Sequence, residues 1–401
     1  MIKEFKPLTE LKEELISFLQ QHENILERDL RFIASPYRIC PLGAHIDHQG
    51  GPVLGMTINA YTVLAFIPVS VPRVRLYSMN YPGTVDFDLK EIGHPVMDDW
   101  GRYATGAAKV LTDLAPLRHG FIGAVSGTLP SSGLSSSASV GLAYLYGLST
   151  VNEFDFSPNE YIELDRRLEN GYLGLKNGIL DQATIINGKR ENLLLINTIT
   201  GGVVSYPKPI DSEKLRIIVV NSGYRRELTS SGFNTRVEEC RMAAKLIGEL
   251  SGMETAEVLS DIPEEVYKSH QHNLPEQLRR RADHYYSEVD CVRRGVEFWS
   301  EGDWSSLGEL MNRSCMSSIN NYESGSLALA RLHQIISDDS DVYGSRFSGG
   351  GYGGCVIGFV KPNFGERNAS KILNEYMINF PEVRESASIY FAETDDGIRF
   401  E

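Results

Sequence analysis

Four stretches of this chain concentrate side chains able to do chemistry. The first is Ser131-Ser132-Gly133-Leu134-Ser135-Ser136-Ser137-Ala138-Ser139, which follows Pro130 and opens an apolar run to Leu148. A proline stop, a glycine and a serine cluster ahead of an apolar segment predict a loop feeding a helix N-terminus. Such a terminus presents unpaired backbone N–H groups and the positive end of the helix dipole, which suits an anion such as phosphate. The hydroxyls of Ser135, Ser136 and Ser137 add short-range donors, and one of them could ligate Mg²⁺. A serine-rich capped helix that binds nothing is the plainer alternative.

The second stretch runs from Ala34 to Gly51 and carries Arg38, His45, Asp47 and His48. The histidines and Asp47 match no common zinc spacing, and no second His/Cys pair lies nearby. Contacts to the hydroxyls of a sugar suit them better, since these side chains donate and accept. The third stretch holds Glu169 and, after a short gap, Gly178-Ile179-Leu180-Asp181-Gln182. Arg38 and Asp181 both fall in glycine-flanked segments that read as loops. A carboxylate beside a guanidinium can take a proton from a hydroxyl while the cation offsets negative charge. A surface ion pair of little energetic worth is the competing reading. Glu169 precedes Asp181 by twelve residues, so a helix-to-loop step could bring both to one metal-bound phosphate.

The fourth stretch, Ser348-Gly349-Gly350-Gly351-Tyr352-Gly353-Gly354-Cys355, contains G-x-G-x-x-G. Only 47 residues follow Gly354, too few for the repeated strand–helix units of a dinucleotide-binding domain. The glycines instead predict backbone that closely approaches a ligand or another segment, with a tight turn as the alternative. No G-x-x-x-x-G-K-[ST], H-R-D, D-F-G or G-x-S-x-G occurs, which closes the P-loop, protein-kinase and serine-hydrolase routes.

The elements that must position these stretches follow from periodicity. Thr9 caps a first helix with Leu11, Leu15, Phe18 and Leu19 on one face. Strands are predicted over Tyr61–Val71, Arg73–Met79, Thr84–Leu89, Phe121–Gly127 and Asn192–Asn197, with helices over Arg102–Leu114 and Tyr161–Leu175. Gly201-Gly202, Pro207 and Pro209 mark a domain boundary, giving domains of residues 1–205 and 206–401. Beyond it come the strand Leu215–Val220, a loop over Asn221–Asn234, and four or five helices in Thr235–Ser337 whose charges read as a solvated face. Strands return at Cys355–Val360 and Ala387–Ala392. The result is an α+β protein of two domains.

A chain of 401 residues with 42% hydrophobic and 23% charged residues can bury two such cores, and its net charge of −14 argues against nucleic acid or an anionic membrane as partner. Five scattered cysteines without CxxC spacing read as reduced thiols. The polar start MIKEFKPLTELKEEL does not read as a signal peptide, and no apolar run reaches the ~18 residues of a membrane span. A cytoplasmic protein, monomeric or weakly oligomeric, is expected.

Taken together, PYRICPLGAHIDHQGG, SSGLSSSA, ENGYLGLKNGILDQ and FSGGGYGGC resemble the GHMP family of small-molecule kinases. Within it the chain is similar to the sugar-1-kinase branch of the galactokinases, and there to the galacturonokinases. The resemblance implies a two-domain fold: an N-terminal S5-domain-2-like domain with an unusual left-handed β-α-β connection, and a ferredoxin-like α+β C-terminal domain. It implies ATP and Mg²⁺, and phosphoryl transfer to the anomeric hydroxyl of a sugar or uronic acid, D-galacturonate first. Galactose as substrate, or a non-catalytic sugar sensor, are the alternatives. Position by position it implies Arg38 and Asp181 as the catalytic pair and Ser137 and Glu169 as Mg²⁺ ligands. Gly133, Leu134, Ser135, Ser136 and Ser137 would then surround the ATP phosphates, with Trp100 and Tyr103 beside adenine. Ala44, His45, Asp47, Gly178, Phe233, Gly350 and Gly351 would line the sugar site. Galactokinases carry Glu where this chain has Ala44 and usually Tyr where it has Phe233. Loss of that Glu removes a carboxylate that would repel a substrate oxidised at C6.

Overall fold

The computed structural model describes residues 2–96, 99–129, 133–224, 232–253 and 255–401; Pro130, Ser131 and Ser132 of the serine stretch and residues 225–231 of the Asn221–Asn234 loop lie outside them. Runs rich in β-branched and apolar residues form the strands. They are β1 (Lys3–Glu4), β2 (Arg31–Ile39), β3 (Val53–Val69), β4 (Arg73–Ser78), β5 (Thr84–Asp88), β6 (Gly120–Gly127), β7 (Asn192–Ile196), β8 (Val203–Pro207), β9 (Arg216–Asn221), β10 (Val342–Phe347), β11 (Cys355–Val360), β12 (Ser388–Ala392) and β13 (Arg399–Phe400). Segments of helical period form α1 (Leu8–His22), α2 (Arg102–Thr112), α3 (Ser136–Val151), α4 (Pro158–Arg166), α5 (Leu180–Asn187) and α6 (Phe233–Ser251). They continue with α7 (Glu264–His270), α8 (Glu276–Glu301), α9 (Trp304–Asn320), α10 (Leu327–Ser337) and α11 (Glu366–Asn379).

One sheet runs β13-β2-β3-β6-β4-β5, and β7 and β8 extend it from the first part of β3. Strands β4 and β6 are parallel, with β5 and α2 between them in the chain. Leu11, Leu15 and Leu19 of α1 close one face against Val63 and Ala65. Ala104, Ala107 and Leu111 of α2 and Leu142 and Leu145 of α3 close the other against Ile33, Leu64 and Phe66. The second sheet runs β1-β12-β9-β11-β10. Its strands β9 to β12 are antiparallel neighbours, with helices between β9 and β10 and α11 between β11 and β12. That is the βαββαβ order of a ferredoxin-like layer, enlarged by helices α6 to α10.

Local details differ from the expectations. Arg38 lies on a strand, because β2 continues through Pro36 to Ile39. Pairing slips at Pro36: Pro36 faces Tyr61 while Tyr37 faces Ile58, so β3 bulges by two residues where proline offers no N–H. β3 starts at Val53, well before Tyr61. Pro7, and not Thr9, precedes the first turn of α1. The segment expected as one helix to Leu175 is α-helical only to Arg166; one wide π-turn, Arg167–Tyr172, carries Glu169. On α8 the charged residues are not all solvated. Arg281, His284 and Glu288 recur at three- and four-residue spacing and are all buried on one stripe, from which His284 and Glu288 reach the Gly43–Ala44 backbone. Among the described residues no helix is long and apolar enough to cross a membrane, and all five cysteines are free and buried.

Candidate active site

Strand β2 delivers Arg38 to the junction of the two sheets, where it is 3% exposed. Its Nε donates to Asp181 Oδ1 at 2.8 Å, and its Nη2 stands 2.7 Å from the same oxygen, so both contacts fall on Oδ1. Asp181 sits in the first turn of α5, where the helix dipole favours a carboxylate. Arg38 Nη1 donates to the Gly133 carbonyl at 3.2 Å and to Ser348 Oγ at 3.1 Å. One guanidinium therefore ties together the serine loop, the glycine loop and α5.

The two loops touch through their backbones, which requires glycine. A Cβ on Gly133 (φ +78°) would stand 2.6 Å from the Ser348 carbonyl oxygen, and one on Gly349 (φ +75°) 2.8 Å from that of Gly133. Ser135, at φ +59°, then starts α3, and no side chain among the described residues caps that helix. The Ser135 hydroxyl is buried without a hydrogen-bond partner among the described residues.

Ser137 and Glu169 line one pocket with Arg38, Asp181, Ala44 and Asp47. Glu169 is fully buried, and its Oε2 accepts from Asn177 and, at 3.0 Å, from Gln182 Nε2. One turn earlier, Asp165 is also fully buried; burial, with the Glu169 charge added, raises its carboxyl well above the ordinary range. Asp47 accepts from the N–H groups of His48 (3.0 Å) and Leu180 (3.4 Å). Burial, reinforced by the Asp181 charge, still pushes it up to about 6. Burial pulls His48 down to about 3, and its Nε2 meets the Tyr322 hydroxyl at 3.0 Å.

His45 stacks on Tyr322 at 4.6 Å and holds φ +63°, a left-handed conformation rare outside glycine. Behind this wall, His284 Nε2 donates to the Ala44 carbonyl at 2.9 Å while its Nδ1 accepts from Ser317 Oγ at 2.9 Å. Burial lowers the His284 pKa and keeps the ring neutral. Glu288 Oε2 accepts the Gly43 N–H at 2.8 Å.

His45, Gly178, Phe233 and Gly350 line the same pocket. Gly351 stands behind it, its carbonyl accepting from the Ser326 N–H. Trp100 and Tyr103 lie outside this pocket, at the start of α2 in the core shared with α3; Trp100 Nε1 donates to the Pro82 carbonyl at 3.2 Å. Among the described residues no three His, Cys, Asp or Glu side chains converge as a metal cage.

Sequence reading missed Arg346, Ser348, Asn177, Gln182, His284 and Glu288. Gln182 and Ser348 stand inside recognised motifs without an assigned role, and membership of those motifs was their signal. His284 and Glu288 hid in a charge-rich helix, where only their spacing separated them from solvated neighbours.

Known proteins give this geometry a context. The family descriptions "GHMP kinases N terminal domain" and "GHMP kinases C terminal" match residues 102–189 and 293–379. A galacturonokinase of Arabidopsis thaliana is 42% identical, over 88% of this chain and 88% of that protein. A galactokinase of Bacillus subtilis (strain 168) is 30% identical, over 92% and 94%. The crystal structure of Lactococcus lactis galactokinase complexed with galactose superposes with a TM-score of 0.87 at 27% identity, covering 96% of this chain and 99% of that one. A Methanococcus jannaschii mevalonate kinase shares the fold at a TM-score of 0.64 and 17% identity. Relatives this similar over nearly the whole length, on a fold whose two layers meet at the Arg38–Asp181 pair, mean that the chain belongs to the GHMP kinase family, as a sugar kinase of the galactokinase and galacturonokinase type.

Proposed function

We propose that the chain transfers the γ-phosphoryl group of ATP to the anomeric hydroxyl of D-galacturonate, giving the 1-phosphate and ADP. The observation that carries the choice of sugar is Ala44, a methyl group on the pocket wall beside His45. A carboxylate there would face the C6 carboxylate of a uronic acid across a desolvated gap, a repulsion of several kcal/mol; alanine removes it and leaves space. The similarity to a protein named galacturonokinase supports the same choice.

Asp181 takes the C1 proton or holds the hydroxyl in line, and Arg38 offsets the charge that develops. Gly133 to Ser137, at the open start of α3, hold the triphosphate, and the buried Ser135 hydroxyl, without a partner among the described residues, is a donor suited to a phosphate oxygen. The Ser137 hydroxyl and the Glu169 carboxylate form the small donor set that Mg²⁺ takes alongside phosphate oxygens, and we assign them to it. Bound there, the ion supplies neutralisation of the triphosphate charge. In this reading His45, Asp47, Gly178, Phe233 and Gly350 contact the sugar, Gly351 supports Gly350 from behind the pocket, and Trp100 and Tyr103, outside the pocket, would serve adenine. Positioning and electrostatics supply most of the rate in such a transfer.

The test is ADP release with Mg-ATP and galacturonate, glucuronate, galactose or arabinose. Galacturonate should give the highest kcat/KM. Preference for galactose would establish the second reading, which the likeness to the galactose-bound galactokinase favours. Binding of sugar and ATP without ADP release would mark a sensor.

A further inference from the structure

Arg346 is a cation on the pocket wall that the scheme above leaves without a task. It is the penultimate residue of β10, just before the glycine loop, and is 1% exposed. Its Nε donates to the Phe347 carbonyl at 3.2 Å, Nη1 to Ser314 Oγ, and Nη2 to Ser318 Oγ at a long 3.4 Å. Ser314 and Ser318 are one turn apart on α9, so the guanidinium plane is held from behind.

What it lacks is a close carboxylate. The acid paired with it, Glu288, stands 3.9 Å away, beyond hydrogen-bond distance, and the same Oε2 already accepts the Gly43 N–H at 2.8 Å. The other buried arginines differ. Arg281 donates to Glu239 Oε2 at 2.6 Å and also reaches Glu323, while Arg38 holds Asp181 at 2.7 Å. Guanidinium groups grip carboxylates with two parallel bonds at about 2.7–2.9 Å, and a buried charge without such a partner is unfavourable. Each nitrogen of Arg346 donates once, which leaves one further N–H on each Nη for a carboxylate.

Its place on the wall gives the partner a direction. One Glu288 oxygen links it to Gly43, and the next residue is Ala44, whose methyl faces the pocket and whose carbonyl His284 fixes. Arg38 is committed to Asp181, Gly133 and Ser348, and His48 is neutral. An anion presented to the Ala44 wall therefore meets Arg346 as its cation.

We propose that Arg346 binds the C6 carboxylate of the substrate, whose anion enters beside Ala44 and completes the open ion pair. This rests on the reading of the substrate as a uronic acid. Arg346 is then the residue that sets specificity: galactose brings only a hydroxyl to the same place and leaves the guanidinium as it stands. A charge-assisted hydrogen bond of this kind discriminates by about 10- to 100-fold.

The test uses the full chain with galacturonate, its neutral C6 methyl ester, and galactose, reading kcat/KM by ADP release. In the unmodified protein galacturonate should exceed both neutral sugars. In Arg346→Gln the ratio of galacturonate to methyl ester should fall by about 100-fold, chiefly through KM, and in Arg346→Lys by about 10-fold. An unmoved ratio, or a parallel fall on all three sugars, would show that Arg346 only braces the glycine loop and would overturn the proposal. Arg346→Lys keeps the buried charge and supplies the reading where the glutamine variant fails to fold. If the unmodified protein already prefers galactose, the uronate reading itself fails, before any variant is read.

Discussion

At the scale of single residues the site depends on one proton and on one carboxylate of unusual affinity. Both contacts from Arg38 fall on one Asp181 oxygen, so Asp181→Asn keeps the shape and removes the proposed base. Turnover should fall by about 10²- to 10⁴-fold with sugar binding retained in thermal shift; undiminished turnover would remove Asp181 from the scheme. Asp47 titrates at about 6, raised by burial and by the Asp181 charge. In the proposed role it accepts from a sugar hydroxyl above that pH and loses the acceptor below it, so kcat/KM should decline as pH falls through about 6. Asp47→Asn should lower kcat/KM and flatten that limb, and a limb that persists in the variant would assign it elsewhere. Stability runs the opposite way. A carboxyl raised in the folded state contributes stability below its unfolded pKa, and that contribution is lost as pH rises through the folded value.

At the scale of elements, what was legible in the sequence was what depends on rare residues in short order. The serine loop and the glycine loop announce themselves because few other roles need Gly133, Gly349 and three serines so close together. Their mutual contact was not legible, since nothing in either stretch names the other. Arg346 was silent for a similar reason: in Val342–Phe347 it reads as one charge in a short strand, and β11 and α9 decide where it points. The buried stripe of α8 was masked by exposed arginines on the same helix, such as Arg293. Strand β2 was misread because Pro36 argues against a strand, until the bulge in β3 absorbs it. The loop contact makes its own prediction. Gly133→Ala places a methyl against the Ser348 carbonyl and forces alanine to φ +78°, each unfavourable by roughly 1–3 kcal/mol. The serine loop should shift relative to the glycine loop, raising KM for ATP and lowering kcat by about 10-fold or more. Kinetics indistinguishable from those of the unmodified chain would show that the two loops need not touch.

At the scale of the whole molecule, the two layers exchange their ends. β1 adds to β12 at the edge of the second sheet, and β13 returns to pair with β2, the strand that carries Arg38. The returning segment is fastened at Asp395, which is 1% exposed and accepts from Tyr61, from Arg190 at 2.6 Å and from Arg399 at 3.0 Å. One apolar cluster also spans both layers, joining Tyr37, Ile39 and Met56 to Ile217, Phe359 and Trp299. Separating the layers would expose that cluster at about 25 cal/mol per Å² of apolar surface and break both terminal pairings, so the two domains are coupled. Unfolding should therefore be a single event despite the size of the chain. Trp299 and Trp304 report on the shared cluster and Trp100 on the core of α2 and α3. Tryptophan fluorescence and far-ultraviolet circular dichroism should trace one coincident urea transition, and calorimetry one peak. Asp395→Ala should move that midpoint down without splitting it, because the fastening it removes ties the segment that leaves β12 to the first sheet. Two resolved transitions, in either protein, would mean that the crossed termini and the shared cluster do not couple the layers.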